Sequence, residues 1–113
     1  MAFKKEASIK GLDRVFAVSP EARPYTLRDN GFVNTRGGNF QYKRDMENES
    51  NQEFVLKVTV DKDLKGLKIS TVNGSGIQAV DITKLANNDM LLEKVNFIFD
   101  GFVDRNVFVE IKD

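Results

Sequence analysis

Residues 54–60 carry the pattern that most restricts how this chain can fold. Apolar side chains occupy every second position, at Phe54, Leu56, Val58 and Val60, and they alternate with Val55, Lys57, Thr59 and Asp61. Because successive side chains of a β-strand point to opposite faces, this alternation predicts a strand with one dry face and one mostly wet face. A half-exposed strand of this kind is typical of an antiparallel sheet that is covered on one side.

The sequence around this strand predicts that it belongs to a meander. Residues 40–46 form an extended segment before it, and residues 67–72 and 77–82 form two more after it. Asn73-Gly74 is a favoured hairpin pair, because both residues tolerate a positive φ. We therefore expect four consecutive antiparallel strands within residues 40–82.

The C-terminal third of the chain changes to a helical period. Its apolar residues fall within an arc of about 120° at 100° per residue, and they are Leu91, Leu92, Val95, Ile98, Phe99 and Phe102. This spacing predicts an amphipathic helix over residues 89–104 that covers the sheet. The alternation from Val95 to Phe99 before Asp100-Gly101 would also suit a hairpin, but a hairpin leaves no place for the two leucines. Residues 107–111 alternate again and predict a final strand.

The N-terminal part predicts shorter elements. Residues 3–9 and 14–18 are extended segments on either side of Gly11, and Tyr25 to Phe32 contains a short helix that Thr26 caps and Gly31 ends. Together with the meander and the long helix, these elements predict one α+β domain over residues 1–113. The predicted architecture is a curved antiparallel sheet packed on the C-terminal helix.

The residue types that the chain lacks exclude most catalytic chemistry. Its 113 residues include no His and no Cys, so there is no imidazole base, no thiolate nucleophile and no histidine or cysteine ligand for a metal. Asp61 to Gly66 opens like a calcium loop, but Lys65 stands where a third oxygen ligand belongs. The carboxylate pairs Asp61 with Asp63 and Asp100 with Asp104 fall in turns or on the wet side of the helix. We therefore expect no enzymatic activity, no cofactor and no metal site.

The start of the chain gives an expectation about location. MAFKKEASIKG contains no apolar stretch of the kind that a signal peptide needs, and no run approaches the length of a membrane span. We expect a cytoplasmic protein without a membrane partner.

The chain is neutral overall, but its charges are unevenly spread. Residues 1–47 carry nine basic and six acidic side chains, a net charge of +3. The rest of the chain carries eight basic and eleven acidic side chains, a net charge of −3. Basic residues and aromatic rings interleave within residues 23–44, a pattern that anionic ligands or single-stranded nucleic acid would use. The basic members are Arg23, Arg28, Arg36, Lys43 and Arg44. A solvated face over core aromatics explains the same pattern, and the neutral total argues against nucleic acid.

A cluster within that stretch combines a guanidinium, a carboxylate and a carboxamide at consecutive positions. Such a cluster can hold an anionic or amino-acid-like ligand. The candidate ligand-binding residues are Tyr25, Arg28, Asp29, Asn30, Arg36 and Tyr42. It can equally be a turn whose polar groups satisfy one another and the local backbone.

Three apolar residues fall away from the predicted core. Met90 and Phe97 lie outside the apolar stripe of the predicted helix. Phe108 points to the opposite face of the last strand from Val107 and Val109. Exposed aromatics of this kind often mark an interface. Met90, Phe97 and Phe108 are therefore candidate contacts with a second copy of the chain or with a partner protein, and a second small core is the alternative.

The segments YTLRDNGF, GNFQYKRDM and FVLKVTVDKDLKGLKIS resemble a small family of low-G+C Gram-positive bacteria that is linked to amino acid metabolism. The resemblance implies a TATA-binding-protein-like fold with the order β-α-β(4)-α, to which this chain would add a final strand. It also associates the chain with a cysteine desulfurase, without a known mechanism. No catalytic or binding residues of the family carry over.

These observations together predict a non-catalytic accessory or ligand-sensing protein of amino acid metabolism, with cysteine or sulfur metabolism as the narrower suggestion. It would act through a partner or a small ligand. The alternative is a binding module for an anionic small ligand or nucleic acid that uses the basic and aromatic stretch 23–44.

Overall fold

The computed structural model of the chain describes residues 3–8, 14–47, 53–73 and 89–111. Within them the chain forms seven strands and two helices. The strands are β1 (Glu6–Ser8), β2 (Val15–Val18), β3 (Val33–Asn34), β4 (Phe40–Glu47), β5 (Glu53–Val60), β6 (Leu67–Asn73) and β7 (Phe108–Ile111). The helices are α1 (Pro24–Asp29) and α2 (Asp89–Asp104).

The strands form two antiparallel sheets that meet along one edge. One sheet has the order β1-β2-β7 and the other has the order β3-β4-β5-β6. Lys4, just before β1, pairs with Leu67 at the start of β6. The Lys4 amide donates to the Leu67 carbonyl at 3.1 Å, and the Leu67 amide donates to the Lys4 carbonyl at 2.8 Å. This exchange links the two sheets into one surface.

The core lies between these sheets and α2. The predicted dry face of β5 is confirmed, because Phe54, Leu56, Val58 and Val60 are all buried. The helix predicted over residues 89–104 is also confirmed, so the hairpin alternative for this segment is wrong. Four members of its apolar stripe are buried, namely Leu91, Val95, Phe99 and Phe102. The α+β class, the antiparallel strands and the single long helix are as the sequence predicts.

The short helix α1 begins two residues earlier than its predicted cap. Thr26 lies inside the helix, where its hydroxyl accepts a hydrogen bond from the Arg23 amide at 3.2 Å. The predicted end is confirmed: Gly31 has a φ of 92°. The Gly31 amide donates to the Arg28 carbonyl and the Phe32 amide donates to the Leu27 carbonyl, which is a Schellman motif. This ending carries Phe32 directly into the core.

Helix α2 ends in the same way, and this explains the one interface residue that the sequence analysis placed wrongly. Asn106 has a φ of 61°, and the Val107 amide donates to the Phe102 carbonyl at 2.9 Å. The turn reverses the chain so that Phe108 faces the helix and is fully buried, while Val109 and Ile111 are each 37% exposed. From Phe108 to Ile111 the strand alternates with its faces the reverse of those predicted, whereas Val107, just before β7, is buried as predicted.

The described residues match the predicted β-α-β(4)-α order only in part. Four described strands lie between the helices, but the first of them is the two-residue β3, and β2 and β7 flank the helices on either side. The predicted strand 77–82 and the Gly74 half of its hairpin lie outside the described residues. Kinship with the TATA-binding-protein fold stays a prediction. None of the helices formed by the described residues has the length and apolar character that a bilayer span needs.

Candidate functional site

The predicted cluster around Asn30 is held mainly by contacts within the fold. The Asn30 side-chain amide donates to the Thr26 carbonyl at 2.8 Å, and its oxygen accepts a hydrogen bond from Nε of Arg105. Arg105 follows the last residue of α2, so this pair ties together the C-terminal ends of both helices. The sequence analysis did not single out Arg105, because its partner is 75 residues away in the chain.

The tyrosine of the cluster that lies on β4 also has a packing role. The Tyr42 ring meets the Phe102 ring edge-on, with centroids 5.1 Å apart, and lies 5.5 Å from the Phe32 ring. A methyl group on Gly31 would come within 3.2 Å of Tyr42, so the turn after α1 and this ring fit closely. For Asn30 and Tyr42 these contacts support the turn interpretation of the cluster.

The remaining members of the cluster are solvent-exposed. Tyr25 is 64% exposed, and Asp29 and Arg36 are exposed as well. The Arg28 guanidinium lies 5.9 Å from the centroid of the Phe40 ring, and its Nε is 3.4 Å from the Asn34 side-chain oxygen. The role of these exposed residues in binding stays a prediction.

A groove lies instead on the face of the sheets that points away from α2, which we call the outer face. The buried residues of β5 occupy even positions, so Lys57 and Thr59 belong to the outer face. The strand register places Lys68 opposite Thr59 and Ser70 opposite Lys57 on the same face. The groove has a volume of about 580 Å³. Its lining comprises Lys4, Glu6, Ala7, Ser8, Val15, Gln41, Lys57, Thr59, Leu67, Lys68, Ile69 and Ser70.

The polar lining of the groove favours an anion. Three ammonium groups, those of Lys4, Lys57 and Lys68, face one carboxylate, that of Glu6. Hydroxyl groups on β1, β5 and β6 stand among them and can donate hydrogen bonds. A cleft of this volume with a few convergent polar groups is the usual form of a small-molecule site.

The N-terminal wall of the groove depends on a close contact at Gly66. A Cβ atom at this position would lie 2.9 Å from Cβ of Phe3 and 3.3 Å from the Lys4 carbonyl oxygen. The Phe3 ring in turn lies 4.8 Å from the Lys68 ammonium, at a distance typical of a cation–π contact. Gly66 thus lets the chain before β1 lie against β6, where it positions two of the three lysines.

Sequence analysis missed the groove because its residues are spread over five strands. Of the basic and aromatic stretch 23–44, only Gln41 lines it. The signal in the sequence that could have pointed to the groove was the polar side of β5, where Lys57 and Thr59 alternate with the core residues. Among the described residues, no three acidic side chains gather in a way that would hold a metal ion.

A separate polar cluster fixes α2 to the sheet β1-β2-β7. The Arg14 guanidinium makes two bonds to the Glu110 carboxylate, both at 3.0 Å. It also donates to the Asn96 side-chain oxygen at 2.9 Å and to the Asp100 carboxylate at 2.7 Å. The hydrogen bonds that Arg14 donates to Glu110 are the main cause that raises the pKa of Arg14 above its ordinary value. Since four of the five guanidinium N–H donors are used within the fold, this cluster is structural.

The exposed side of α2 carries two of the three predicted interface residues. Phe97 is 79% exposed and Met90 is 49% exposed. They are seven residues apart, which places them on the same side of the helix two turns from each other. Their exposure is as the sequence predicts, whereas Phe108 does not contribute to this surface.

Comparison with known proteins relates the chain to one family. Residues 1–109 match the model of a family described as "Putative amino acid metabolism", DUF1831. The solved structures include a DUF1831 family protein from Lactobacillus plantarum that is 33% identical, with a TM-score of 0.87 over 98% of this chain and 99% of that one. Comparison with curated proteins gave no match. The chain therefore belongs to the DUF1831 family.

Proposed function

We propose that the protein is a non-catalytic accessory protein of amino acid metabolism that binds a small anionic metabolite in the outer-face groove. The observation that carries this proposal is the set of three lysines and three hydroxyl groups around a cleft of about 580 Å³. The description of the family supplies the metabolic context. Binding of this kind would let the protein sense or deliver a metabolite.

The lining of the groove favours a small ligand over nucleic acid. Proteins that hold single strands stack the bases on aromatic side chains. Among the described strands, the residues that share the outer face with Lys57 include no aromatic side chain. Ala7, Val15, Leu67 and Ile69 instead supply an apolar wall, which suits the carbon skeleton of a metabolite.

Lys57→Glu should reduce the affinity for anionic metabolites by at least about tenfold, because it replaces an attractive charge by a repulsive one in the centre of the groove. Isothermal titration calorimetry with aspartate, glutamate and O-phosphoserine measures this change. Lys94→Glu is the matched control, since Lys94 lies on α2 and outside the groove. Equal affinities of the two variants for every one of these anions would refute the proposal.

A contact with another protein is a second candidate function, and the exposure of Phe97 favours it. The Phe97 ring is 79% exposed, and the buried side of α2 holds the helix in place. The ring is therefore already positioned for a contact with another protein. The occupant would be a second copy of the chain or a partner. The cysteine desulfurase that the resemblance suggests stays a prediction, which co-purification from native lysate tests.

Phe97→Asp should abolish such a contact without unfolding the protein, since the side chain contributes little to the core. Sedimentation velocity of the wild type and the variant, each alone and with a candidate partner, reports the change. Asp63→Ala is the control, because Asp63 is exposed in the turn between β5 and β6 and lies outside α2. A monomer in both cases, with no partner recovered, excludes this function.

A further inference from the structure

We propose that the groove recognises a phosphate monoester group through Lys57 and Lys68, with Lys43 beside the groove as a third ammonium group. This inference rests on the proposed function and specifies the chemical class of the ligand. It starts from the arrangement of lysines on the outer face of β4, β5 and β6.

The strand register places these lysines in two adjacent rows. Lys43 stands opposite Lys57, which stands opposite Ser70. In the next row Gln41 stands opposite Thr59, which stands opposite Lys68. Opposed Cβ atoms are about 5 Å apart, and the rows are about 7 Å apart along the strands. Lys57 and Lys68 line the groove together with the hydroxyls of Thr59 and Ser70, and Lys43 lies beside the groove on the same face, next to Lys57.

The pairing of Lys43 with Lys57 is unfavourable in the free protein. Like charges directly opposite each other on a sheet destabilise it. Neither lysine has an ion-pair partner among the described residues. Within the groove lining, Lys4, Lys57 and Lys68 face one carboxylate, that of Glu6. This surplus of two positive charges matches a dianion.

The number of donors distinguishes a phosphate monoester from a monocarboxylate. Arginine pairs with carboxylate and phosphate alike through two parallel donors, and lysine binds phosphate as a point charge. A phosphate monoester carries a charge of about −1.5 to −2 near neutral pH and three acceptor oxygens. Those oxygens can accept from three ammonium groups and from the hydroxyls of Thr59 and Ser70. A monocarboxylate would leave most of these donors without an acceptor.

The other side of the groove indicates what the phosphate is attached to. The volume of about 580 Å³ exceeds what a phosphate group alone would fill. Glu6 and Ser8 from β1 face the patch across the groove. A carboxylate and a hydroxyl on that side of the groove can bind an ammonium group at the far end of a small ligand. A phosphorylated amino compound therefore fits both sides of the groove.

Calorimetry on the full chain at about pH 7.5, where a phosphate monoester is mostly dianionic, tests the inference. O-phosphoserine should bind at least about tenfold more tightly than aspartate at the same ionic strength. Lys43→Gln should weaken O-phosphoserine about five- to tenfold and aspartate by a smaller factor, while circular dichroism shows an unaltered fold. Inorganic phosphate should compete with O-phosphoserine.

The alternative outcomes separate this inference from the proposed function. If aspartate binds as tightly as O-phosphoserine and Lys43→Gln affects neither, the phosphate assignment is wrong but the anion groove stands. If no anion binds and Lys57→Glu changes nothing, both fail. If a 5′-phosphorylated oligonucleotide binds more tightly than O-phosphoserine and loses affinity steeply with salt, the groove is a nucleic-acid site and the inference is overturned.

Discussion

Phe99→Ala should cost about 3–5 kcal/mol of folding free energy, the range observed for removal of a buried phenylalanine. Phe99 is fully buried, and its ring lies 4.6 Å from that of Phe16, 5.7 Å from that of Phe102 and 6.1 Å from that of Phe108. These rings come from β2, α2 and β7, so the side chain fills the space where three elements meet. The total free energy of unfolding of a domain of this size is about 5–15 kcal/mol. Urea unfolding followed by circular dichroism measures the loss.

Phe97→Ala provides a matched control for Phe99→Ala. It removes the same side chain two residues earlier on the same helix, and both positions receive the same helix-favouring residue. Because Phe97 is 79% exposed, we expect a change within about 0.5 kcal/mol. If both variants lost similar stability, the assignment of the buried and exposed sides of α2 would be wrong.

This contrast between neighbours on one helix shows which parts of the fold can be predicted from the sequence. The period of α2 places Phe99 in the core and Phe97 outside it, and the structure agrees. The alternation of β5 is equally informative, because one face of the strand must be buried. Where a segment is long enough for its period to be unambiguous, the pattern determines both the element and its buried side.

The short segment after α2 shows why prediction failed elsewhere. Residues 107–111 alternate, but alternation alone does not say which set faces inward. The left-handed conformation of Asn106, with a φ of 61°, sets that phase by turning Phe108 under the helix. The position of a single turn residue therefore decides the face, and no periodicity within the strand records it.

The groove was missed for a related reason. Lys4, Lys57 and Lys68 lie far apart in the chain and meet only through strand register. A search along the sequence instead favours local clusters, such as the one around Asn30, whose polar groups satisfy the turn that contains them. Sites assembled across a sheet become visible only once the order of its strands is known.

Arg14→Met should destabilise the protein by about 2–3 kcal/mol, the upper range for hydrogen bonds to charged groups. The change removes four hydrogen bonds, two to Glu110 and one each to Asn96 and Asp100. The side chains of Arg14 and Glu110 are 23% and 20% exposed, so water would replace these bonds incompletely. Asp100, at 62% exposed, can return to solvent at little cost. Urea unfolding measures the difference from the wild type.

The pH dependence of that loss distinguishes the guanidinium from its aliphatic stem. Contacts raise the pKa of Arg14 above its ordinary value, so its ionic contribution is complete below that ordinary value and is lost only above the raised pKa. The loss of folding free energy in Arg14→Met should therefore be the same at every pH between neutral and about 10. Above that range lysine side chains in general begin to lose their charge, which would change the stability of both proteins. Arg14→Lys keeps the charge but not the paired donors, so its stability should lie between that of the wild type and that of Arg14→Met.

Arg36→Met is the control, because Arg36 is an exposed arginine. It should change stability by less than about 0.5 kcal/mol. An equal loss at both arginines would contradict the role of the Arg14 cluster in holding α2 against the sheet.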